Sequence, residues 1–246
     1  MIPTIARKEF HSLFATPSTW LVLGALQFIF AWIFLTRMEA FLEVQVQLAQ
    51  ITNAPGATLA IAAPLYATLA LIMLLLVPLF TMRLIAEERR NQTLALLLSA
   101  PVSSTQIIAG KFLGLLLFLL LIIVSCTLMV STLAIGTRLD IGLLLGNALG
   151  LVLLSASYAA LGLYVSALTA QPLIAALSSL AVLFGLWLVD FSSSGDNAWH
   201  ALTPTHHFQS LNNGLFNSVD VDYFVLMIVV FLLLAVRRLH NNRSYG

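Results

Sequence analysis

The sequence predicts an all-α polytopic membrane protein of six transmembrane helices, a single domain over residues 1–246, and three observations carry that prediction. The chain is 60% hydrophobic and 9% charged, where soluble domains carry roughly 25% charged residues. Its mean hydropathy is +1.00, which leaves too little polar surface to cover a water-soluble fold. The charges that do occur separate apolar runs of the length needed, roughly 20 residues, to cross a hydrocarbon core of about 30 Å.

Ahead of the first run, Ile2, Ala6, Phe10, Leu13 and Phe14 recur at spacings of three and four, while Arg7, Lys8, His11 and Ser12 point elsewhere. This spacing predicts an amphipathic interfacial helix over residues 1–16, lying on the cytoplasmic surface. The first span covers residues 18–36. Arg7 and Lys8 ahead of it give the order of a secretory signal, but Phe34, Leu35, Thr36, Arg37 and Met38 offer no small-residue cleavage site, so an uncleaved span is expected. Residues 37–60 are expected to form an outer segment longer than a plain turn. The second span covers residues 62–82, and Pro78 inside it predicts a kink.

The third span covers residues 107–133 and follows Ser103 and Gln106, which stand in the order of a capping box. After Arg138 and Asp140 no charge appears until Asp190. That stretch holds the fourth and fifth spans, joined by a tight turn at Thr169, Ala170, Gln171 and Pro172. The sixth span runs from near Asp222 to Arg237 and Arg238, with snorkelling arginines extending it. Before it, residues 191–221 contain Trp199, His200, His206, His207, Phe208, Leu211, Leu215 and Phe216, too apolar for a solvated loop. A re-entrant outer hairpin packed against the bundle is expected there.

Basic residues near span ends are retained in the cytoplasm. With six spans, one side collects Arg7, Lys8, Arg83, Arg89, Arg90, Lys111, Arg237, Arg238 and Arg243, and the other keeps Arg37 and Arg138. The expected site is therefore a bacterial inner (cytoplasmic) membrane with both termini cytoplasmic.

Several chemistries find no support in the residues. A chain that itself hydrolysed ATP would need a Gly-x-x-x-x-Gly-Lys-Ser/Thr loop; near Gly110 and Lys111, position 105 is Thr and Phe112 replaces the hydroxyl residue. The spans hold no Asp, Glu or His near their centres, which argues against an intramembrane protease or a proton-coupled pump. Ser125, Ser131, Ser155, Ser157, Ser178 and Ser179 read as small residues that let helices approach. Cys126 has no second thiol to pair with. His200, His206, His207 and Asp196 form the only candidate metal cluster, and outer-surface packing is favoured for them, so no metal is expected. The scattered basic residues form no stripe for nucleic acid.

What remains is the cytoplasmic segment 83–106. Arg83, Glu87, Glu88, Arg89 and Arg90 are followed by Thr93, Leu94, Ala95, Leu96, Leu97 and Leu98. A mixed-charge turn followed by an apolar patch suits docking to a soluble partner, with ion pairs setting register and leucines supplying buried area. A solvated positive-inside loop with incidental leucines is the competing reading.

The run from Glu87 to Val102, together with Gln106-Ile107-Ile108-Ala109-Gly110-Lys111-Phe112, resembles the cytoplasmic segment of ABC-2 type transporter permeases, in the branch that includes GldF and NosY. The opening Ala6-Arg7-Lys8-Glu9-Phe10 and the later Phe208, Ser210, Gly214, Asp222-Tyr223-Phe224 and Arg237-Arg238 extend the resemblance over nearly the whole chain. The family often has Gly before the threonine and Glu after the leucine, where this chain has Gln92 and Ala95.

The resemblance implies a coupling helix between the second and third spans that seats in a cleft of an ABC ATPase subunit. Glu87, Glu88, Arg89, Arg90, Thr93, Leu94 and Leu97 are the candidate contacts. Arg7, Lys8 and Phe10 of the interfacial helix flank them. It also implies that ATP and magnesium sit on the partner ATPase, that this chain is no enzyme and binds no cofactor, and that it pairs with a second permease copy, as a homodimer, or with a related permease. Membrane lipid surrounds it. The function so implied is export or translocation of a substrate. Two alternatives stand beside it: a mechanotransmitting subunit that drives a periplasmic or accessory membrane protein through an outer surface containing Trp199 and Phe208, and a membrane scaffold with no ATPase.

Overall fold

A computed structural model describes residues 1–48, 56, 58–93, 102–136, 139–192 and 202–244. The described residues form helices and no strand: α1 (Ile2–Ala15), α2 (Pro17–Leu48), a π-helical turn (Thr58–Ala62), α3 (Ala63–Leu84), α4 (Ala86–Arg90), α5 (Ser104–Ser131) with a 3₁₀ turn (Thr132–Ile135), α6 (Ile141–Leu168), α7 (Pro172–Ser192), α8 (Pro204–Asn212) and α9 (Ser218–Ser244). Six helical stretches are long and apolar enough to cross a membrane: Pro17–Glu43, Thr58–Arg90, Ser104–Ile135, Ile141–Leu168, Pro172–Phe191 and Ser218–Asn241.

Local chemistry accounts for the helix starts. Ser103 and Gln106 close the capping box in both directions at the head of α5, Gln106 N donating to Ser103 Oγ at 3.2 Å and Ser103 N to Gln106 Oε1 at 3.3 Å. Asp140 caps α6 by accepting from Leu143 N at 3.2 Å. The turn at Thr169–Pro172 separates α6 from α7 as expected. At the end of α8, Leu215 N reaches Ser210 O, Gly214 N reaches Leu211 O, and Gly214 takes φ +84°, a left-handed helix stop that suits glycine.

Helix α6 lies at the centre, packed on α3, α5, α7, α8 and α9. Of its spanning stretch 67% is buried, against 22% for each of α2, α7 and α9, so those three form the periphery of the bundle. Small residues allow the central approach: a Cβ on Gly162 of α6 would come within 2.9 Å of Thr81 Cβ on α3. Tyr66 of α3 and Thr127 of α5 share a hydrogen bond of 2.6 Å, and Ser125 Oγ donates to Gln27 Oε1 across α2 and α5. Pro78 sits inside an unbroken α3.

Two expectations change. Helix α2 continues to Leu48, so the first part of the expected outer segment 37–60 is helical. Helix α9 begins at Ser218 and extends to Ser244, longer than a span from Asp222 to Arg238. Charge marks where the hydrocarbon ends, and a helix with satisfied backbone bonds crosses that boundary freely. The apolar stripe of α1 packs along the first turns of α5, running in the same direction: Ile5 lies against Gly110, Ala6 and Glu9 against Gly114, and Phe14 against Phe118 with ring centroids 5.4 Å apart. The glycines leave a track that lets the two backbones approach.

Candidate functional site

The turn after α3 is where the sequence places docking chemistry, and Ser166 of α6 shapes it. Helix α3 ends at Leu84, Ile85 leaves helical geometry (φ −124°), and α4 restarts at Ala86. Across this break Ser166 Oγ accepts from Ile85 N at 3.3 Å and Ala86 N at 3.1 Å, and donates to Met82 O at 3.2 Å. One hydroxyl thus joins three backbone groups that the break would otherwise strand.

Helix α4 then closes on itself: Asn91 N bonds Glu87 O and Gln92 N bonds Arg89 O. Gln92 takes φ +58°, the only non-glycine residue described with a positive φ. A left-handed conformation costs an L-residue roughly 1–2 kcal/mol, which explains physically why glycine suits this position in the family resembled.

The candidate residues separate by direction. Glu87, Arg90 and Thr93 are exposed, and Arg89 is half-buried. Glu88 turns inward. Its Oε1 lies 2.7 Å from Lys111 Nζ, and Lys111 is also 2.8 Å from Glu9 Oε1. The Lys111 side chain is 2% exposed, Glu9 13% and Glu88 20%, so a nearly buried ammonium ties α1, α4 and α5 at one point. Oε2 of Glu88 is buried and has no hydrogen-bond partner among the described residues. Arg7 and Lys8 project outward from α1, while Phe10 is half-buried and packs on Phe14, ring centroids 4.9 Å apart. Leu94 and Leu97 lie outside the described residues.

Lys111 and Glu9 were not legible as a site. Lys111 reads as one more positive-inside charge, and its partners stand 102 and 23 residues away. The available signal was Gly110-Lys111-Phe112-Leu113-Gly114, a small-x-x-x-small track carrying a cation in an otherwise apolar run.

Beside this knot a cavity of about 790 Å³ lies between α1, the start of α2, the end of α3 and α4. Its walls include Val22, Leu76 and Leu79 as well as Lys8, Arg83 and Glu88.

At the opposite end of the bundle, α8 packs on α6, with Phe208 and Leu211 buried against Gly150. His207 Nδ1 lies 2.6 Å from Asp220 Oδ1 and its ring stacks on Tyr223 at 4.1 Å. Asn212 Nδ2 donates to Ala63 O at 2.8 Å, fixing α8 to the head of α3. Phe208 is therefore an interior residue of this end. Trp199, His200 and Asp196 lie outside the described residues, among which no group of three His, Cys, Asp or Glu is placed to hold a metal.

A family model described as ABC-2 family transporter protein matches residues 3–243. No curated protein matches the chain.

Proposed function

Because this chain belongs to the ABC-2 family of transporter proteins, we propose that it is a permease subunit coupling ATP hydrolysis on a separate ATPase chain to translocation of a substrate. In this reading ATP and magnesium stay on the ATPase, and the permease sits in a bacterial inner membrane with both termini cytoplasmic. The exposed apolar faces of α2 and α7 meet lipid and a second permease copy.

The observation that carries the reading is the Lys111 knot. The exposed Glu87, Arg90 and Thr93 form a mixed-charge surface suited to setting register on a partner. Directly behind them, Glu88 is bound to Lys111 of α5, Lys111 to Glu9 of α1, and the base of α4 to Ser166 of α6. A displacement of the turn is thereby passed to two spanning helices and to α1 at once. ATP-driven switching acts through such differential contacts between two arrangements.

The test is purification of the tagged chain from its native membrane with identification of any co-purifying ATPase. Glu87→Arg, at an exposed position, is expected to release the ATPase without changing the unfolding temperature. Glu88→Arg is expected to do both, because it sets a second cation against Lys111. Retention of the ATPase by both Glu87→Arg and Arg90→Glu would remove the docking assignment.

A further inference from the structure

We propose that the α4 end of the bundle docks its ATPase through a rim of acidic side chains on that partner, so that charge steers the encounter. The inference rests on the permease reading above and adds the partner's chemistry to it. Folding makes this end more basic than its sequence. Of the acids of α1 and α4, Glu9 and Glu88 turn onto Lys111, where they keep 13% and 20% exposure. Glu87 is then the one exposed acid at this end among the described residues, whereas Arg7, Lys8, Arg83, Arg90, Arg237 and Arg238 are all exposed. Neither the stretch between Arg90 and Lys111 nor the turn at Thr169–Pro172 carries a charge, so neither offsets them.

Two cations at this end are set against each other. Arg238 at the tail of α9 lies close enough to Arg89 of α4 for the like charges to act on one another. Arg89 is half-buried, and neither guanidinium has an acidic partner among the described residues. A partly desolvated cation beside a second one is stabilised by an anion, and a guanidinium fork pairs with a carboxylate through two parallel hydrogen bonds. The base of α4 is joined to Ser166, near the last turn of the central helix α6. It therefore lies beneath the middle of the bundle rather than at its edge, where lipid phosphates gather, and a carboxylate on a soluble partner is the anion that fits. Glu87 keeps its part in setting register and marks where the partner carries a cation.

The test follows association of the ATPase that co-purifies with the chain, detached and added back to the full chain in nanodiscs of phosphatidylcholine alone, so that lipid contributes no net charge. The association rate is expected to fall at least about tenfold as sodium chloride rises from about 50 to about 500 mM, as for charge-steered encounters. Arg237→Gln combined with Arg238→Gln is expected to lower the rate about tenfold at the low salt and to leave it unchanged at the high salt, because screening already removes what the substitutions take away. Arg89→Gln is expected to slow association as well, while the free chain unfolds at the same or a higher temperature, since a repulsion is relieved. A rate independent of salt, or equal rates at low salt for wild type and the double variant, overturns the acidic rim and leaves the docking reading standing. An ATPase that binds wild type at no salt concentration overturns both.

Discussion

Replacing Lys111 by methionine tests the coupling knot at its centre. The substitution roughly keeps the side-chain length and removes the charge, leaving Glu9 and Glu88 facing each other. With Lys111 Nζ at 2.8 and 2.7 Å from the two carboxylates, their Oε1 atoms are no more than about 5.5 Å apart. Two like charges at that distance repel by about 3 kcal/mol at an effective dielectric constant of about 20. Removing one partner of a buried ion pair costs about 3–5 kcal/mol. Because Glu9 and Glu88 keep 13% and 20% of their exposure and so some hydration, the low end applies, about 3 kcal/mol. For a chain of this size that corresponds to a fall of about 6–12 °C in unfolding temperature. The assay is thermal unfolding of the purified protein in one detergent. Adding Glu9→Gln and Glu88→Gln to Lys111→Met removes the repulsion and is expected to restore most of the loss, while ATPase coupling stays low because the charged link is gone. A single substitution that moves the transition by less than about 2 °C, or a triple variant with no recovery, would show that the three charges do not form an energetically connected knot.

Gly114→Val places a Cβ within 2.8 Å of both Ala6 O and Glu9 Cβ; it is expected to loosen α1 from α5 at a cost of about 1–3 kcal/mol, seen as faster tryptic cleavage after Arg7 and Lys8. Ser166→Ala strands the N–H groups of Ile85 and Ala86, and hydrogen exchange at those two amides is expected to rise with a stability loss of about 1–3 kcal/mol. Gln92→Val puts a β-branched side chain into a left-handed conformation; loss of ATPase co-purification with an unchanged unfolding temperature is expected, and retained co-purification would place docking elsewhere. Asp220→Asn removes the carboxylate facing His207 and is expected to raise hydrogen exchange in α8 while leaving α1 unaffected.

The spans were legible because each depends on local composition. Ser103 and Gln106 announced the head of α5, and the charge-free stretch after Asp140 announced α6 and α7 with their turn. The stripe Ile2, Ala6, Phe10, Leu13 and Phe14 marks the apolar face of α1, yet a sequence pattern carries no sign of what covers a stripe, and part of this one lies against α5. The same limit applies to charge. Glu87 and Glu88 are neighbours of identical type, and only the fold turns one outward and the other onto Lys111. The left-handed backbone at Gln92 was equally hidden, because the residue type there argues against it.

The break between α3 and α4 is also a joint whose strength follows from its bonds. Three hydrogen bonds to Ser166 hold the joint, each contributing about 0.5–1.5 kcal/mol net. Their total is of the same order as a typical coupling free energy between distant sites, about 1–3 kcal/mol. The same short helix is held a second time by the Glu88–Lys111 ion pair, so, in the permease reading proposed above, a load on the turn is divided like the strain on a bracket with two bolts, one into α6 and one into α5.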